Sequence, residues 1–181
     1  MDQKARSRLA FGSVPFEVTA AVKKPAQMGL VTLETDLTIE TEMRHFLSGA
    51  PGHDTASGVA LLHTRIACDD QVTAENLSMM EGRFAEALAL FPKKYCFDVI
   101  GYGCTSASLV IGEARVQQII QSHVDVAYVT TPLTATKRGL AALGVGKIAY
   151  LAPYISEISH QMCDELGAAG FAVSAAATFG E

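Results

Sequence analysis

The chain has 181 residues, enough for one ordinary domain or two small lobes; 49% of them are hydrophobic and 18% are charged. This composition supports a sizeable buried core and excludes a disordered polar chain. The net charge of −5, from 14 basic and 19 acidic residues, argues against nucleic acid as a general partner, because phosphate binding needs clustered Lys and Arg.

Apolar runs and amphipathic periods alternate along the chain after a predicted N-terminal arm of residues 1–25. In chain order, the first half is predicted as strand 26–34, a helix with Thr38 as its N-cap, loop 48–58, strand 59–66, helix 73–91 and strand 97–103. The second half is predicted as helix 111–121, strand 124–131, helix 133–144, strand 147–153, helix 155–170 and strand 171–179. One face of the 73–91 helix is apolar: Leu77, Met80, Phe84, Leu88 and Phe91.

The sequence also bears on compartment and on metals. No apolar run has the length of a membrane span, so no membrane partner is expected. The segment LAFGSVPFEVTAAV is interrupted by Pro15 and Glu17, unlike the core of a secretory signal, and a cytoplasmic protein is predicted. The cysteines are Cys68, Cys96, Cys104 and Cys163. Their shortest spacing is eight residues, so neither a zinc site nor a disulfide framework is predicted.

The order of the elements predicts an α/β fold with a mostly parallel sheet and helices on both of its faces. The strands are continuous apolar runs, which is typical of parallel strands buried on both sides. A faint repeat of strand, turn and acidic helix start links residues 28–42 with 147–161. It predicts two similar lobes, at 26–132 and 133–181. The second lobe is expected to be incomplete, because a loop equivalent to the one at Cys104 would fall beyond residue 181.

The most informative stretch is DVIGYGCTSAS, where a predicted strand ends in two glycines, one cysteine and a cluster of hydroxyl residues. Ligands of parallel sheets bind beyond the carboxyl ends of the strands. A strand that feeds a helix also presents backbone N–H groups that bind anions. The same donors would favour the thiolate of Cys104, a nucleophile or general base. The alternative is a buried packing cysteine among turn-forming hydroxyls, but the glycines and the hydroxyl run favour a functional site.

Three segments, GLVTLETDLTIETE, DVIGYGCTSASLVIG and GVGKIAYLAPYISEISHQM, resemble the Asp/Glu racemase superfamily, and within it the branch of maleate cis–trans isomerases and arylmalonate decarboxylases. The resemblance implies two similar α/β lobes with an active site between them. It also implies chemistry on small carboxylates without a metal or an organic cofactor. Under the resemblance, Cys104 is the catalytic cysteine of the first lobe. Thr105 and Ser106 hold a substrate carboxylate, and Tyr154 contacts the substrate.

Three more substrate-binding candidates lie at the carboxyl ends of the first and fourth predicted strands. Asp36 stands where members of the family commonly have a carboxylate-binding asparagine. A substrate carboxylate would be repelled there unless one of the two groups is protonated or Asp36 points away. Thr38 lies in the same turn, and Thr131 ends the fourth predicted strand, where its hydroxyl would donate to a second carboxylate.

Cys163 and Arg65 are expected to be structural. The racemases of the family take a second catalytic cysteine from the second lobe, but Cys163 lies in the middle of a predicted helix and is expected to be buried. Arg65, near the end of its strand, is expected to pair with Asp69 or Asp70 on the surface rather than to bind a substrate.

The leading hypothesis is a cofactor-independent isomerase or racemase-type enzyme that acts on a small mono- or dicarboxylate through Cys104. A decarboxylase of the same superfamily is one alternative; in that branch the essential cysteine lies in the second lobe, so Cys104 fits isomerisation better. A non-catalytic relative that binds small carboxylates is the other. A homo-oligomer is expected, because an incomplete second lobe leaves a sheet edge and apolar surface uncovered.

Overall fold

A computed structural model describes residues 11–18, 25–49 and 58–179. Of the predicted arm, residues 11–18 are exposed and form neither helix nor strand. The rest of the arm before residue 25 and most of the predicted 48–58 loop lie outside the described residues. No helix within the described ranges is long and apolar enough to cross a membrane.

The described chain alternates strands and helices. The strands are β1 (Ala26–Leu33), β2 (Val59–Ile66), β3 (Phe97–Tyr102), β4 (Val126–Thr130), β5 (Lys147–Ala152) and β6 (Ala172–Thr178). The helices are α1 (Ile39–Gly49), α2 (Ala74–Met79), α3 (Phe84–Leu88), α4 (Thr105–Ile111), α5 (Glu113–His123), α6 (Pro132–Ala142) and α7 (Ser156–Ala168), with a 3₁₀ turn at Met80–Arg83.

The strands form two parallel sheets. The first has the order β2-β1-β3-β4, and the second is the pair β5-β6. In the first sheet Leu30 lies opposite Gly101, which in turn lies opposite Thr130, so the carboxyl ends of β1, β3 and β4 meet at one edge. The predicted α/β class with a parallel sheet and flanking helices is confirmed, while the two lobe boundaries stay a prediction.

The main core lies between one face of the first sheet and the helices α2, α3 and α5. The predicted apolar face of the 73–91 segment is buried there, although the segment divides into α2, the 3₁₀ turn and α3. The ring of Phe84 meets that of Tyr102 edge-on, with centroids 4.7 Å apart. This contact fixes the end of β3 directly before Cys104. A smaller cluster in the second part of the chain contains Leu133, Met162, Leu166 and Phe171.

Helix α4 has no counterpart among the predicted elements. Its sequence, TSASLVI, is rich in hydroxyl and β-branched residues, which have low helix propensity. The helix forms because it is capped at its start and packs on α2, α6 and α7. Gly112, with φ of +91°, separates α4 from α5, so the predicted 111–121 helix begins two residues later, at Glu113.

Candidate active site

Cys104 lies at the carboxyl end of β3 and is the N-cap residue of α4. Its sulfur is buried and accepts a hydrogen bond from the backbone amide of Ala107 at 3.4 Å. The Ser106 hydroxyl lies 3.7 Å from the same sulfur, and the Ser108 hydroxyl donates to the Cys104 carbonyl. A cysteine thus occupies the place that Ser, Thr, Asp or Asn usually takes, with a backbone amide and a serine hydroxyl next to its sulfur.

Gly103 lets the Cys104 loop pack directly against β1 and α1. Its amide donates to the Val31 carbonyl at 2.8 Å. A Cβ atom here would lie 2.8 Å from Ile39 Cδ1 and 3.4 Å from the Val31 carbonyl oxygen. Because Gly103 has no side chain, the loop that carries Cys104 can pack this closely against β1 and α1.

Tyr154, in the turn between β5 and α7, lies against the Cys104 loop. Its carbonyl accepts a hydrogen bond from the Thr178 hydroxyl at 2.7 Å. Burial raises the pKa of Tyr154; hydrogen bonding to Thr105 and Ser106 opposes that rise, while the negative charge of the Cys104 thiolate adds to it. The phenol therefore stays protonated at neutral pH. The structure thus brings together four predicted site residues: Cys104, Thr105 and Ser106, which follow β3, and Tyr154, which follows β5.

Tyr102 is a second phenol beside Cys104, and sequence reasoning missed it. The residue is 1% exposed, and its hydroxyl donates to Met80 Sδ at 3.7 Å. Burial raises the pKa of Tyr102, and the nearby thiol groups of Cys104 and Cys68 raise it further. The sequence could have indicated this contact, because Tyr102 precedes Cys104 by two residues, and side chains two residues apart in an extended segment lie on the same side.

A cavity of about 260 Å³ opens beside Cys104. Its walls come from the ends of β1 and β2, from α2 and from the Cys104 loop: Leu33, Thr35, Cys68, Asp69, Asp70, Gln71, Val72, Asn76, Leu77, Met80, Cys104 and Ser106. Cys68 is a second thiol on this cavity that sequence reasoning did not single out. Its sulfur lies 3.4 Å from the Thr35 hydroxyl, and its amide donates to the Glu34 carboxylate at 3.0 Å.

A second cavity, of about 390 Å³, lies beside the same loop. Thr105 and Tyr154 line it together with apolar residues of β5, α6 and α7. Cys104 and Ser106 line the first cavity and Thr105 lines the second. The Tyr154 phenol hydrogen-bonds to both Thr105 and Ser106, so the two linings meet at the Cys104 loop.

Asp36 caps the start of α1. Its Oδ1 accepts hydrogen bonds from the backbone amides of Thr38 at 2.8 Å and Ile39 at 3.0 Å. Thr38 lies directly before α1, in the predicted N-cap position, and its carbonyl accepts from the Glu42 amide, but the side chain that caps the helix is that of Asp36. Burial raises the pKa of Asp36, but these bonds and the charge of Arg65 outweigh it and lower the pKa overall. Asp36 is therefore ionised at neutral pH and repels a nearby carboxylate. Contacts of Asp36 and Thr38 with a substrate stay a prediction.

Thr131 is the N-cap residue of α6 and is 3% exposed. Its hydroxyl accepts from the Thr134 amide at 3.1 Å and lies 3.0 Å from the Thr134 hydroxyl. The predicted contact of Thr131 with a substrate is untested, and it would compete with this cap.

Arg65 binds backbone rather than a surface acid. Its Nη1 donates to three carbonyls of the β1–α1 turn at 2.9, 3.2 and 2.7 Å: those of Leu33, Glu34 and Asp36. The expected pairing with Asp69 or Asp70 is not found among the ion pairs of the described residues, and Asp69 Oδ2 pairs with Arg83 Nη2 at 2.8 Å instead. The strand register explains the difference, since Thr32 of β1 lies opposite Arg65 and the turn that follows passes over its guanidinium.

Metal-ligating side chains are not clustered in the part of the chain that the structure describes, where no three His, Cys, Asp or Glu residues are placed to hold an ion. The groups around Cys104 are instead a thiol, hydroxyls and two phenols.

Solved structures share this arrangement of sheet and helices. The chain is similar to Nocardia farcinica maleate cis–trans isomerase, solved as a cysteine-to-serine mutant with a covalently bound succinylcysteine intermediate; the TM-score is 0.74 and the identity 26%, over 86% of this chain and 64% of that one. It is also similar to unliganded arylmalonate decarboxylase, with a TM-score of 0.58 and 18% identity over 86% and 62% of the two chains. At that identity the likeness to the decarboxylase shows the fold alone.

The sequence gives the same class of relatives. It is 29% identical over 157 residues to the maleate isomerase of Nocardia farcinica, covering 82% of this chain and 59% of that protein. No protein-family model matches the chain. The chain spans 59% and 62% of the length of the two curated maleate isomerases that it matches. These likenesses confirm the resemblance to the maleate isomerase and arylmalonate decarboxylase branch of the Asp/Glu racemase superfamily.

Proposed function

We propose that the protein is a cofactor-independent cis–trans isomerase of a small unsaturated carboxylate, with Cys104 as its nucleophile. The observation that carries the proposal is the position of Cys104: it caps α4 at the end of β3, faces a cavity and has donors around its sulfur. A cysteine adduct in the Nocardia isomerase supports covalent chemistry of the same kind here.

The proposed reaction needs only a thiolate and a held carboxylate. The Cys104 thiolate adds to one carbon of the double bond, so a C–S bond forms and the π bond breaks. The electron pair moves through the neighbouring carbon into the substrate carboxylate attached to that carbon. The remaining single bond rotates, the pair re-forms the π bond in the trans geometry, and the C–S bond breaks to release the thiolate. Protons and electrons balance without a co-reactant.

We assign the carboxylate that receives this charge to the loop after Cys104. Thr105 and Ser106 occupy the first turn of α4 and contribute hydroxyl groups. The Tyr154 phenol, whose pKa is raised by burial, remains a hydrogen-bond donor at neutral pH. Donors that strengthen their bonds as charge develops lower the barrier to addition.

Two-base racemisation has less support in this part of the molecule. It needs a second thiol opposite the first, which the racemases of the superfamily take from the second lobe. Cys163 lies on α7 and lines a different cavity, with Tyr150 and His160. Cys68 lines the cavity beside Cys104, but it follows β2 in the first part of the chain, and its sulfur lies 3.4 Å from the Thr35 hydroxyl. Burial raises the pKa of Cys163, and the charge of Asp164 adds to this, which disfavours its thiolate. The structural likeness to the decarboxylase shows only a fold and carries no argument for decarboxylation.

The test follows the vinyl protons of a substrate panel by NMR. The panel contains maleate, its monoamide and isocrotonate, and cis-to-trans conversion of at least one is expected with the wild-type protein. Cys104→Ser should abolish the conversion, whereas Cys96→Ser, at an exposed position beside Asp125, should not change it. Conversion that survives in Cys104→Ser would overturn the proposal, and binding of these acids without conversion would identify a carboxylate-binding protein instead.

A homo-oligomer is part of the same proposal. Tyr128 on β4 and Leu151 on β5 are 74% and 63% exposed, and both strands lie at sheet edges, where backbone groups are open to pairing. Light scattering should give a mass above that of one chain, and Leu151→Lys should lower it. A monomeric wild-type protein at micromolar concentration would contradict the assembly.

A further inference from the structure

The cavity beside Cys104 has an apolar wall and an acidic rim. Leu33, Val72, Leu77 and Met80 form the apolar part. Asp69 and Asp70 are the charged residues among the described residues that line it, and no lysine or arginine accompanies them. A group that enters this cavity therefore meets hydrocarbon and negative charge.

The neighbouring arginines are already engaged. Arg83 pairs with Asp69 at 2.8 Å and donates to the Ala67 carbonyl at 3.1 Å. Arg65 is held by the carbonyls of the β1–α1 turn, the shortest of these bonds being 2.7 Å to Asp36. The bonds of Arg65 hold its guanidinium over the β1–α1 turn, those of Arg83 hold its guanidinium beside Asp69, and neither arginine lines the cavity.

Further acids stand at the same strand end. The Glu34 carboxylate accepts the amide of Cys68, a residue that lines the cavity, at 3.0 Å. Asp36 is fixed by the amides at the start of α1 and is ionised. Acidic side chains therefore lie in the β1–α1 turn, which contributes Thr35 to the cavity wall, as well as in the segment after β2, and like charges brought together disfavour binding.

We propose that this cavity selects an uncharged group, so that the substrate carries a single carboxylate. That carboxylate lies with Thr105, Ser106 and Tyr154, while an amide, ester or alkyl group on the other end of the double bond enters the cavity with Asp70 at its rim. The inference rests on the proposed isomerase function and narrows its substrate from small carboxylates in general to monoanions. Asp70 is its specificity-determining residue.

The size of the cavity agrees with this assignment. A volume of about 260 Å³ exceeds the roughly 30 Å³ that one water occupies in the liquid by a wide margin. An amide or a short ester therefore fits beside the sulfur. The polar side chains of Asn76 and Gln71 on the same wall offer donors to an amide or ester carbonyl.

The experiment compares maleate with its monoamide, two acids of nearly the same shape that differ in one charge. We expect kcat/KM for the monoamide to exceed that for maleate by at least about tenfold at pH 7.5, which corresponds to about 1.4 kcal/mol. Equal turnover of the two, or faster turnover of maleate, would overturn the inference and leave the isomerase intact. Turnover of no member of the substrate panel would instead refute the isomerase itself.

The variant Asp70→Asn tests whether Asp70 disfavours a substrate with a second carboxylate. It should lower the monoamide-to-maleate ratio severalfold, mainly through a lower KM for maleate, because one negative charge leaves the rim. Glu86→Gln is the matched control, since Glu86 is an exposed acid on α3 and does not line this cavity. A ratio that stays at the wild-type value in Asp70→Asn, or that falls equally in Glu86→Gln, would remove Asp70 from the selection.

Discussion

The backbone amide of Ala107 points at the sulfur of Cys104 from 3.4 Å, so the side chain proposed as nucleophile is also the cap of α4. Structure and chemistry are therefore coupled at one residue. A substitution of Cys104 changes both the stability of α4 and the reactivity of the site. The two effects can be separated by comparing two replacements that both lack the thiol but differ in their ability to cap the helix.

Cys104→Ser and Cys104→Ala should differ in stability but not in activity. Serine keeps an N-cap acceptor, whereas alanine has none and should lower the free energy of unfolding by about 1 kcal/mol relative to serine. Both variants lack the thiol and should be inactive. Urea unfolding followed by circular dichroism measures the difference. Equal stability of the two variants would show that the hydrogen bond from the Ala107 amide to the side chain at position 104 does not stabilise the protein.

Gly103→Ala should destabilise the protein and displace the Cys104 loop. The new methyl group would lie 2.8 Å from Ile39 Cδ1, and overpacking of this kind costs about 1–3 kcal/mol. Ile39→Val removes that Cδ1 atom and should restore part of the stability in the double variant. Gly101→Ala is the matched control, since its nearest neighbour is Leu30 Cδ1 at 3.7 Å. A loss in Gly101→Ala as large as that in Gly103→Ala would contradict the packing argument.

Asp36→Asn should flatten the loss of stability in acid. The pKa of Asp36 is lowered below its ordinary value of 3.8, so its contribution is present above that pH and is lost as the pH falls through the folded-state pKa. Asparagine still caps a helix but does not titrate. The free energy of unfolding, measured from pH 6 down to pH 3, should fall less steeply in Asp36→Asn than in the wild type. Parallel curves would mean that Asp36 is not the titrating group.

Lys137→Met should weaken the packing of α5, α6 and α7. Lys137 Nζ donates to Glu165 at 2.6 Å and also to Glu113. Burial lowers the pKa of Lys137, but the bonds and charges of the two glutamates outweigh it and raise the pKa overall. Its contribution is therefore complete below the ordinary value of 10.5 and is lost as the pH rises through the higher folded-state pKa.

We expect Lys137→Met to lower the free energy of unfolding by about 1 kcal/mol at pH 7. The neighbouring Arg138→Met is the control, because Arg138 is exposed on the same helix. Urea unfolding of both variants measures the difference. An equal effect in the two variants would assign the loss to helix α6 rather than to the ion pairs.

The strands of the fold were predictable because each contains a largely apolar run, although only β1 and β3, at the centre of the first sheet, are largely buried. β2 was predicted with its observed limits, and β6 to within one residue at each end. Helix α4 was not predicted, because its stability comes from a cap and from packing against three helices rather than from the helix propensity of its residues. Tertiary contacts decide such short helices.

The candidate site was predictable in part. The position of Cys104 at a strand end follows from local sequence, and its meeting with Tyr154 was implied by the family resemblance. The partners of Arg65 depend on how the β1–α1 turn folds over β2, and nothing near Arg65 in the sequence encodes that path. The second thiol, Cys68, faces the same cavity only because β2 and β3 flank β1 in the sheet, an order that the sequence does not reveal.

The most direct test of the central claim is the alkylation rate of each cysteine at pH 7, mapped by peptide mass spectrometry with and without the preferred substrate. Cys104 is 5% exposed whereas Cys96 is exposed, so burial alone would make Cys104 the slower of the two. The account predicts the opposite: Cys104 reacts faster than Cys96 with a small reagent such as iodoacetamide, and substrate protects it. Slow alkylation of Cys104 that substrate leaves unchanged would contradict its role as the nucleophile.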